Sequence, residues 1–160
     1  MKRARKLVEL LRKKGLKISA AESCTGGLFS KKITDISGSS DVIDVSIVTY
    51  ANDAKIKFLG VNPEDVEKYG VVSETVAKQM ARGAAKLMGA DIGVGITGIA
   101  GPGGGSRFKP VGLVHTSVYL NGMDFPCEMN FSGSREEVRE KTANAVLENV
   151  AWLIERECVD

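Results

Sequence analysis

The sequence predicts an α/β protein, a three-layer α/β/α sandwich with a mixed, mainly parallel sheet. Two observations favour this class: helical segments alternate with short buried strands early in the chain, and two strands joined by a tight turn come late. The length of 160 residues suits a single domain covering residues 1–160. A hydrophobic content of 43% with 26% charged residues is ordinary for a soluble globular chain.

Capping residues and apolar stripes define the predicted helices. Gly15 ends the first helix, Asn52 is a favourable N-cap, and Ser134 with Glu137 forms a capping box for the last helix. We expect Trp152 of that last helix to lie in the core. The predicted helices cover residues 3–14, 27–36, 53–59, a short segment that begins at Asn62-Pro63, a longer one capped by Ser73 with an inward stripe of Val76, Met80, Ala84, Leu87 and Met88, and one from Ser134 to about residue 156.

Five short runs of apolar or β-branched residues predict the strands. The last two runs are joined near Asn121-Gly122, a dipeptide that strongly favours a two-residue hairpin turn. This hairpin adds antiparallel strands to a sheet whose earlier strands are connected through helices. The predicted strands cover residues 16–21, 42–50, 91–97, 111–119 and 124–131.

Charge and cysteine content exclude several classes of protein. The 22 basic and 20 acidic residues give a net charge of +2, which is too balanced to predict direct contact with nucleic acid or a membrane. No apolar run approaches the roughly 20 residues that span a bilayer, and no secretory signal is recognisable. Cys24, Cys127 and Cys158 show no pairing pattern, so we expect a reducing, cytoplasmic location. One histidine and scattered cysteines give no metal-ligand spacing.

Three polar segments come directly after predicted strands and suggest a single site. They are Glu22–Gly27, Thr49–Lys55 and Thr97–Pro110. Ligands of open α/β sheets bind at the carboxyl ends of the strands. We therefore expect the three segments to meet at one edge of the sheet.

The first of these segments offers two nucleophiles, Ser23 and Cys24. Free N–H groups at a helix start can stabilise an oxyanion or bind phosphate, although Ser23 and Thr25 would equally serve as simple helix caps. Cys24 would need to be a thiolate and would usually need a histidine partner. The lone His115 lies inside a predicted strand, where a structural role is favoured, so Cys24 is the secondary candidate.

Lys55 is the candidate base. With Asn52 as the cap, Lys55 falls in the first turn of its helix, where the helix dipole disfavours a cation. Burial would lower the pKa of Lys55 further, and a neutral lysine could accept the hydroxyl proton of a serine. A solvated lysine is the simpler alternative.

The glycine-rich loop and two arginines are candidate phosphate ligands. Residues 98–105 include five glycines whose N–H groups could cradle a phosphate, yet a flexible surface loop fits the same composition. Arg135 and Arg139 lie in the first turns of the last helix. They could clamp a phosphate, or they could lie on a solvated helix face.

Several motifs occur in one order along the chain: AESCTGG at 21–27, GSS at 38–40, VTYANDAK at 48–55, GVVSE at 70–74, TGIAGPGGG at 97–105, KPVG at 109–112 and FSGSREEVR at 131–139. Together they resemble the CinA C-terminal domain family, also called the nicotinamide-nucleotide amidase family. The ordered set covers essentially the whole chain, so the resemblance is far more specific than any one motif.

This resemblance implies a hydrolase of pyridine nucleotide salvage in NAD metabolism. Enzymatic members hydrolyse the carboxamide of nicotinamide mononucleotide to nicotinic acid mononucleotide and ammonia. They need no cofactor and share a three-layer fold, commonly as homodimers or larger homo-oligomers. The implied roles here are nucleophile for Ser23, base for Lys55 and proton relay for Tyr50.

The remaining expected contacts concern the oxyanion and the substrate. We expect main-chain N–H groups of Thr25, Gly26 and Gly27 to stabilise the oxyanion. Two alternatives stay open: a non-catalytic nucleotide-binding module that acts with a partner protein, and a competence-linked factor that contacts DNA, which the near-neutral charge disfavours. The expected substrate-binding residues are Glu22, Thr97, Gly98, Gly101, Gly103, and Arg135 or Arg139.

Overall fold

A five-stranded sheet forms the centre of the molecule in the computed structural model, which describes residues 1–158. β1 pairs in parallel with β2 and β3, whereas the β3–β4 and β4–β5 pairs are antiparallel. Four of the five strands therefore point the same way, which confirms the predicted mixed, mainly parallel sheet. The strands are β1 (Ile18–Glu22), β2 (Ile43–Val48), β3 (Ile92–Gly98), β4 (Leu113–Leu120) and β5 (Met123–Asn130), in the spatial order β2-β1-β3-β4-β5.

Helices cover both faces of this sheet, which confirms the three-layer arrangement. The helices are α1 (Lys2–Lys14), α2 (Leu28–Thr34), α3 (Asn52–Leu59), α4 (Pro63–Tyr69), α5 (Glu74–Met88) and α6 (Arg135–Glu157). α1, α2 and α6 pack together over one face, where they share the larger core with β1, β3 and β4. α3 and α4 pack on α5, which contacts every strand from the other face. Within residues 1–158, each helix is too short or too polar to cross a membrane.

Local turn and capping chemistry fixes the ends of these elements. Gly15 ends α1 in the left-handed conformation, and the Ser134–Glu137 capping box is formed at the start of α6. Asn121 and Gly122 both have positive φ, 53° and 77°, as a tight hairpin turn of this kind requires. These predicted signals are confirmed.

The predicted cap of α3 is wrong by one residue. Ala51 is the N-cap, in an extended conformation and without a side-chain cap, and Asn52 is the first helical residue. Lys55 consequently lies one position further into α3 than the sequence suggested. The Asn52 side chain lines a pocket instead of capping the helix.

Three large apolar side chains that we expected in the core lie at the surface. Leu87 and Met88 occupy the last turn of α5 and are 36% and 63% exposed. Trp152 is 50% exposed because it lies on the side of α6 opposite to buried Val150 and Ile154. The guanidinium of Arg156 stacks over the Trp152 ring at 4.7 Å.

Glycines on β3 bring α5 into direct contact with the sheet. A Cβ atom at Gly93 would lie 1.9 Å from the carbonyl oxygen of Ala81, and one at Gly95 would lie 2.3 Å from that of Ala77. The main chain of α5 therefore packs on β3 at a distance that only glycine allows. This contact sets the position of α5, whose first turn comes directly after a pocket-lining segment.

Gly93→Ala should therefore destabilise the protein. The added methyl group must push α5 away from β3, so we expect the free energy of unfolding to fall by about 2–3 kcal/mol. Gly103→Ala is the matched control, because a Cβ atom there meets nothing within 4 Å. Urea denaturation followed by circular dichroism measures both, and equal stability of the two variants would contradict the packing argument.

Candidate active site

A pocket of about 250 Å³ lies where β1, β2 and β3 end. It is lined by residues from each of the three polar segments, together with the start of α6 and the connector between α4 and α5. The predicted convergence at the carboxyl edge of the sheet is therefore seen in the structure. The lining residues are Ser23, Cys24, Tyr50, Asn52, Lys55, Val71, Val72, Thr97, Gly98, Ile99, Ala100, Gly101, Gly103, Gly104 and Arg135.

Ser23 and Lys55 meet at this pocket. The Lys55 Nζ lies 3.1 Å from the Ser23 Oγ, and it also donates to the carbonyl oxygens of Thr49 at 2.7 Å and Tyr50 at 3.4 Å. An ammonium would donate to all three oxygens. A neutral amine would donate to the two carbonyls and turn its lone pair toward the Ser23 hydroxyl, which would then be the donor. The contacts accommodate both forms of Lys55, and in the neutral form the Ser23 hydroxyl can pass its proton to the amine.

The surroundings of Lys55 favour its uncharged form. Its side chain is 1% exposed, and burial lowers its pKa from the ordinary 10.5, with a small opposing contribution from Cys24. Within residues 1–158, no carboxylate pairs with Lys55 to hold it protonated. Burial without a counter-ion is the arrangement expected of a lysine base.

The Glu22 carboxylate anchors the turn that carries Ser23. It is fully buried and accepts hydrogen bonds from the N–H groups of Gly27, Phe29 and Ser30 and from the Ser30 hydroxyl. These donors are the otherwise unpaired groups at the start of α2. The predicted contact of Glu22 with substrate is therefore wrong, because both carboxylate oxygens point into the protein.

The predicted oxyanion donors also need correction. The Gly26 N–H donates to the carbonyl of Ser23 at 3.0 Å, and the Gly27 N–H donates to Glu22 at 3.1 Å, so neither is free for a ligand. In the part of the chain that the structure describes, the Thr25 N–H has no main-chain acceptor, whereas the Cys24 N–H donates to its own thiol sulfur. Of the three predicted residues, only Thr25 has an N–H group without a main-chain acceptor, but Thr25 is fully buried and does not line the pocket.

Arg135 and Arg139 have different positions. Arg135 lines the pocket and donates to the carbonyl of Gly101 at 2.7 Å and to the Tyr50 hydroxyl at 2.6 Å. Arg139 instead donates to the carbonyl of Thr25 at 3.0 Å and does not line the pocket. Of the two arginines, Arg135 can reach a ligand, whereas Arg139 supports the nucleophile turn.

The geometry of Tyr50 does not support a proton relay. Its hydroxyl is held by Arg135, and its contact with Lys55 is made by the main-chain carbonyl. The Tyr50 side chain is 58% exposed, so it belongs to the mouth of the pocket. It can shape the entrance together with Arg135.

The glycine-rich loop presents main-chain donors to the pocket. Gly98, Gly101 and Gly103 line it as predicted. Within residues 1–158, the N–H groups of Ala100, Gly101, Gly103 and Gly104 have no acceptor, so they are available to an anion. Thr97 also lines the pocket, but its hydroxyl already donates to the carbonyl of Val71 at 2.8 Å.

Cys24 and His115 do not form a catalytic pair. Burial raises the pKa of the Cys24 thiol to about 11, so the helix start does not make it a thiolate at neutral pH. His115 lies on β4 with its Nε2 3.6 Å from Glu128, and burial lowers its pKa. Across residues 1–158, no three His, Cys, Asp or Glu side chains cluster as metal ligands would.

Asn52, Val71 and Val72 are pocket residues that sequence reasoning missed. Asn52 was assigned to capping, which hid its exposure to the pocket. Val71 and Val72 are apolar, so their side chains gave no chemical signal. The motif at 70–74 was the one available indication that this segment matters.

The fold and the pocket together define an α/β protein with a serine–lysine pair at the carboxyl edge of its sheet. The CinA C-terminal domain family matches residues 1–154. The CinA-like protein of Kosmotoga olearia is 49% identical over 144 residues, which are 90% of this chain and 35% of that relative. The chain therefore spans about a third of the length of this curated relative.

Solved structures agree with this assignment. The competence/damage inducible protein CihA from Agrobacterium tumefaciens superposes with a TM-score of 0.93 at 45% identity, covering 95% of this chain and 93% of that one. The competence damage-inducible protein A from Klebsiella pneumoniae superposes with a TM-score of 0.94 at 28% identity, covering 97% and 96%. The chain belongs to the CinA C-terminal domain family.

Glu22→Gln should destabilise the protein and disturb the nucleophile turn. The amide NH₂ would face N–H donors where a carboxylate oxygen now accepts, so we expect a loss of about 1–3 kcal/mol in the free energy of unfolding. Glu67→Gln is the control, because Glu67 is exposed on α4. Chemical denaturation checks this, and the same small change in both variants would refute the anchoring role.

Proposed function

We propose that this protein hydrolyses the carboxamide of nicotinamide mononucleotide, giving nicotinic acid mononucleotide and ammonia. The observation that carries the proposal is the buried Lys55 amine, which lies 3.1 Å from the Ser23 hydroxyl and has no carboxylate partner within residues 1–158. A solvated lysine or a helix-capping serine would need neither this burial nor this contact. The pair instead suits activation of a serine for acyl transfer.

The charge of the pocket supports an anionic nucleotide substrate. Among the described residues, its lining includes the Arg135 guanidinium but no carboxylate. The unpaired N–H groups of the glycine-rich loop add further partial positive charge. The Arg135 guanidinium, placed between Tyr50 and Gly101, is the group best placed to meet the phosphate.

In the proposed reaction, the Ser23 Oγ attacks the carboxamide carbon while its proton passes to the Lys55 Nζ. The C=O double bond opens to an oxyanion, which unpaired main-chain N–H groups that line the pocket can stabilise by about 3–4 kcal/mol per donor. The Lys55 ammonium then protonates the departing nitrogen, the C–N bond breaks, and ammonia leaves an acyl ester on Ser23. Water attacks this ester with Lys55 again accepting the proton, which returns Ser23 as the hydroxyl and releases the nicotinate product.

A non-catalytic nucleotide-binding module acting with a partner protein is the second candidate. It would use Arg135 and the glycine-rich loop in the same way. It gives no reason for a buried lysine beside Ser23, and the structure therefore favours the amidase. Binding of nicotinamide mononucleotide without ammonia release by the wild-type protein would support the module instead.

The nucleophile can be identified by two substitutions. Ser23→Ala should lower kcat by at least about 10³-fold, because the attacking oxygen is removed. Cys24→Ala should retain turnover, because the buried thiol with its raised pKa is protonated at neutral pH. A coupled ammonia assay with nicotinamide mononucleotide measures both. Full activity of the first variant, or complete loss in the second, would overturn the assignment of Ser23.

The pH dependence tests the role of Lys55. Protonated Lys55 cannot accept the serine proton, so kcat/KM should rise as pH increases through the lowered pKa of Lys55 and then level off below 10.5. Lys55→Arg should be inactive at every pH, because a guanidinium remains charged. Lys57→Met, a change at an exposed lysine of the same helix, is the control and should keep the wild-type profile. A flat profile for the wild type would exclude a lysine base.

A further inference from the structure

The connector between α4 and α5 forms one wall of the pocket through Val71 and Val72. Every carbonyl from residue 69 to residue 72 accepts a hydrogen bond from a side chain. The carbonyls of Tyr69 and Val72 accept from the Lys109 Nζ at 2.5 Å and 2.7 Å, that of Gly70 from the Ser73 hydroxyl at 2.8 Å, and that of Val71 from the Thr97 hydroxyl at 2.8 Å. This wall is therefore held by side chains on both sides of it.

Lys109 makes the longest-range of these attachments. It belongs to the segment after the glycine-rich loop, so its ammonium joins that loop to the connector. The site is shaped to receive it: Gly70 has φ 78°, and a Cβ atom there would lie 2.7 Å from the Lys109 Nζ. The positive φ favours glycine at this position, and an added Cβ would displace the end of the Lys109 side chain.

The Lys109 ammonium donates its hydrogen bonds to these carbonyls. Within residues 1–158, Lys109 makes no salt bridge, and its ammonium donates to two main-chain oxygens. One of them belongs to Tyr69, the last residue of α4, whose carbonyl would otherwise lack a partner in the helix. Bonds from a charged donor are stronger than those between neutral groups, so the attachment can hold a short connector in place.

Lys109 does not line the pocket. Two of its three N–H donors are already engaged by the connector, so it acts on the pocket through Val71 and Val72. Loss of the ammonium would free the Tyr69 and Val72 carbonyls while leaving Ser23 and Lys55 in contact. The two effects, on the wall and on the serine–lysine pair, are therefore separable by experiment.

We propose that Lys109 is a positioning residue for substrate binding, which fixes the Val71–Val72 wall against the glycine-rich loop so that the pocket keeps its width for an anionic nucleotide. The inference rests on the proposed function for the identity of the nucleotide. Its structural part, the attachment of the wall, is independent of turnover.

The test is Lys109→Met, which keeps the aliphatic stem and removes the ammonium, with Gly70→Ala as a second variant that displaces it. Lys86→Met, at an exposed lysine of α5, is the matched control. For both test variants we expect KM for nicotinamide mononucleotide to rise about tenfold, as loss of a charged hydrogen bond implies, with kcat within about twofold of the wild type. Amide hydrogen exchange at residue 70, whose N–H donates to the carbonyl of Val66 at 2.9 Å, should become faster in both.

The rate at which a small serine-directed sulfonyl fluoride reacts with Ser23 measures the reactivity of this serine separately from nucleotide binding. This rate should be unchanged in Lys109→Met, because the probe does not need the wall. Wild-type exchange at residue 70, an unchanged KM, or a loss of sulfonylation equal to the loss of turnover would each overturn the proposal. If the wild-type protein binds the nucleotide without turnover, the amidase proposal fails, and the Kd from calorimetry replaces KM in the same comparison.

Discussion

The buried amine of Lys55 is the constraint on which the rest of the site depends. Among the described residues, an ammonium in this position has two carbonyls and one hydroxyl as hydrogen-bond partners but no carboxylate, and burial lowers the pKa of Lys55. Because the two carbonyls come from Thr49 and Tyr50, the segment that supplies the lysine also orients it. Ser23 follows a different strand, β1. Of the three contacts of the Lys55 amine, only the one with the Ser23 hydroxyl therefore depends on the pairing of strands in the sheet.

The fold around Ser23 and Lys55 places the turn that carries Ser23 against α3, the helix that carries Lys55. Parallel pairing of β1 with β2 and β3 brings three strand ends to the same edge. Glu22 fixes the Ser23 turn to the start of α2, and Arg139 of α6 holds the carbonyl of Thr25. Neither charged side chain needs to touch a ligand to matter, since each determines where the Ser23 hydroxyl lies.

The sequence predicted the fold class and the meeting of Ser23 with Lys55, because both depend on signals local to the chain or on strand order. It could not decide which groups are already engaged. The N–H groups of Gly26 and Gly27 have partners only once α2 is built on Glu22, and the Tyr50 hydroxyl has one only once α6 is docked. The surface position of Trp152 was missed because its large apolar ring indicated a core position, although it lies on the side of α6 opposite to buried Val150 and Ile154.

The lack of carboxylates among the described pocket residues has a consequence for product release in the proposed reaction. Conversion of a carboxamide to a carboxylate adds one negative charge to a molecule that already carries a phosphate. In the proposed reaction, the Arg135 guanidinium that attracts the reactant would then hold the product more strongly, and the newly formed carboxylate would lie beside the Lys55 amine, which can take up a proton to pair with it. The electrostatics that favour binding of the amide therefore oppose release of the acid. In the proposed reaction, product release is then the step expected to limit turnover.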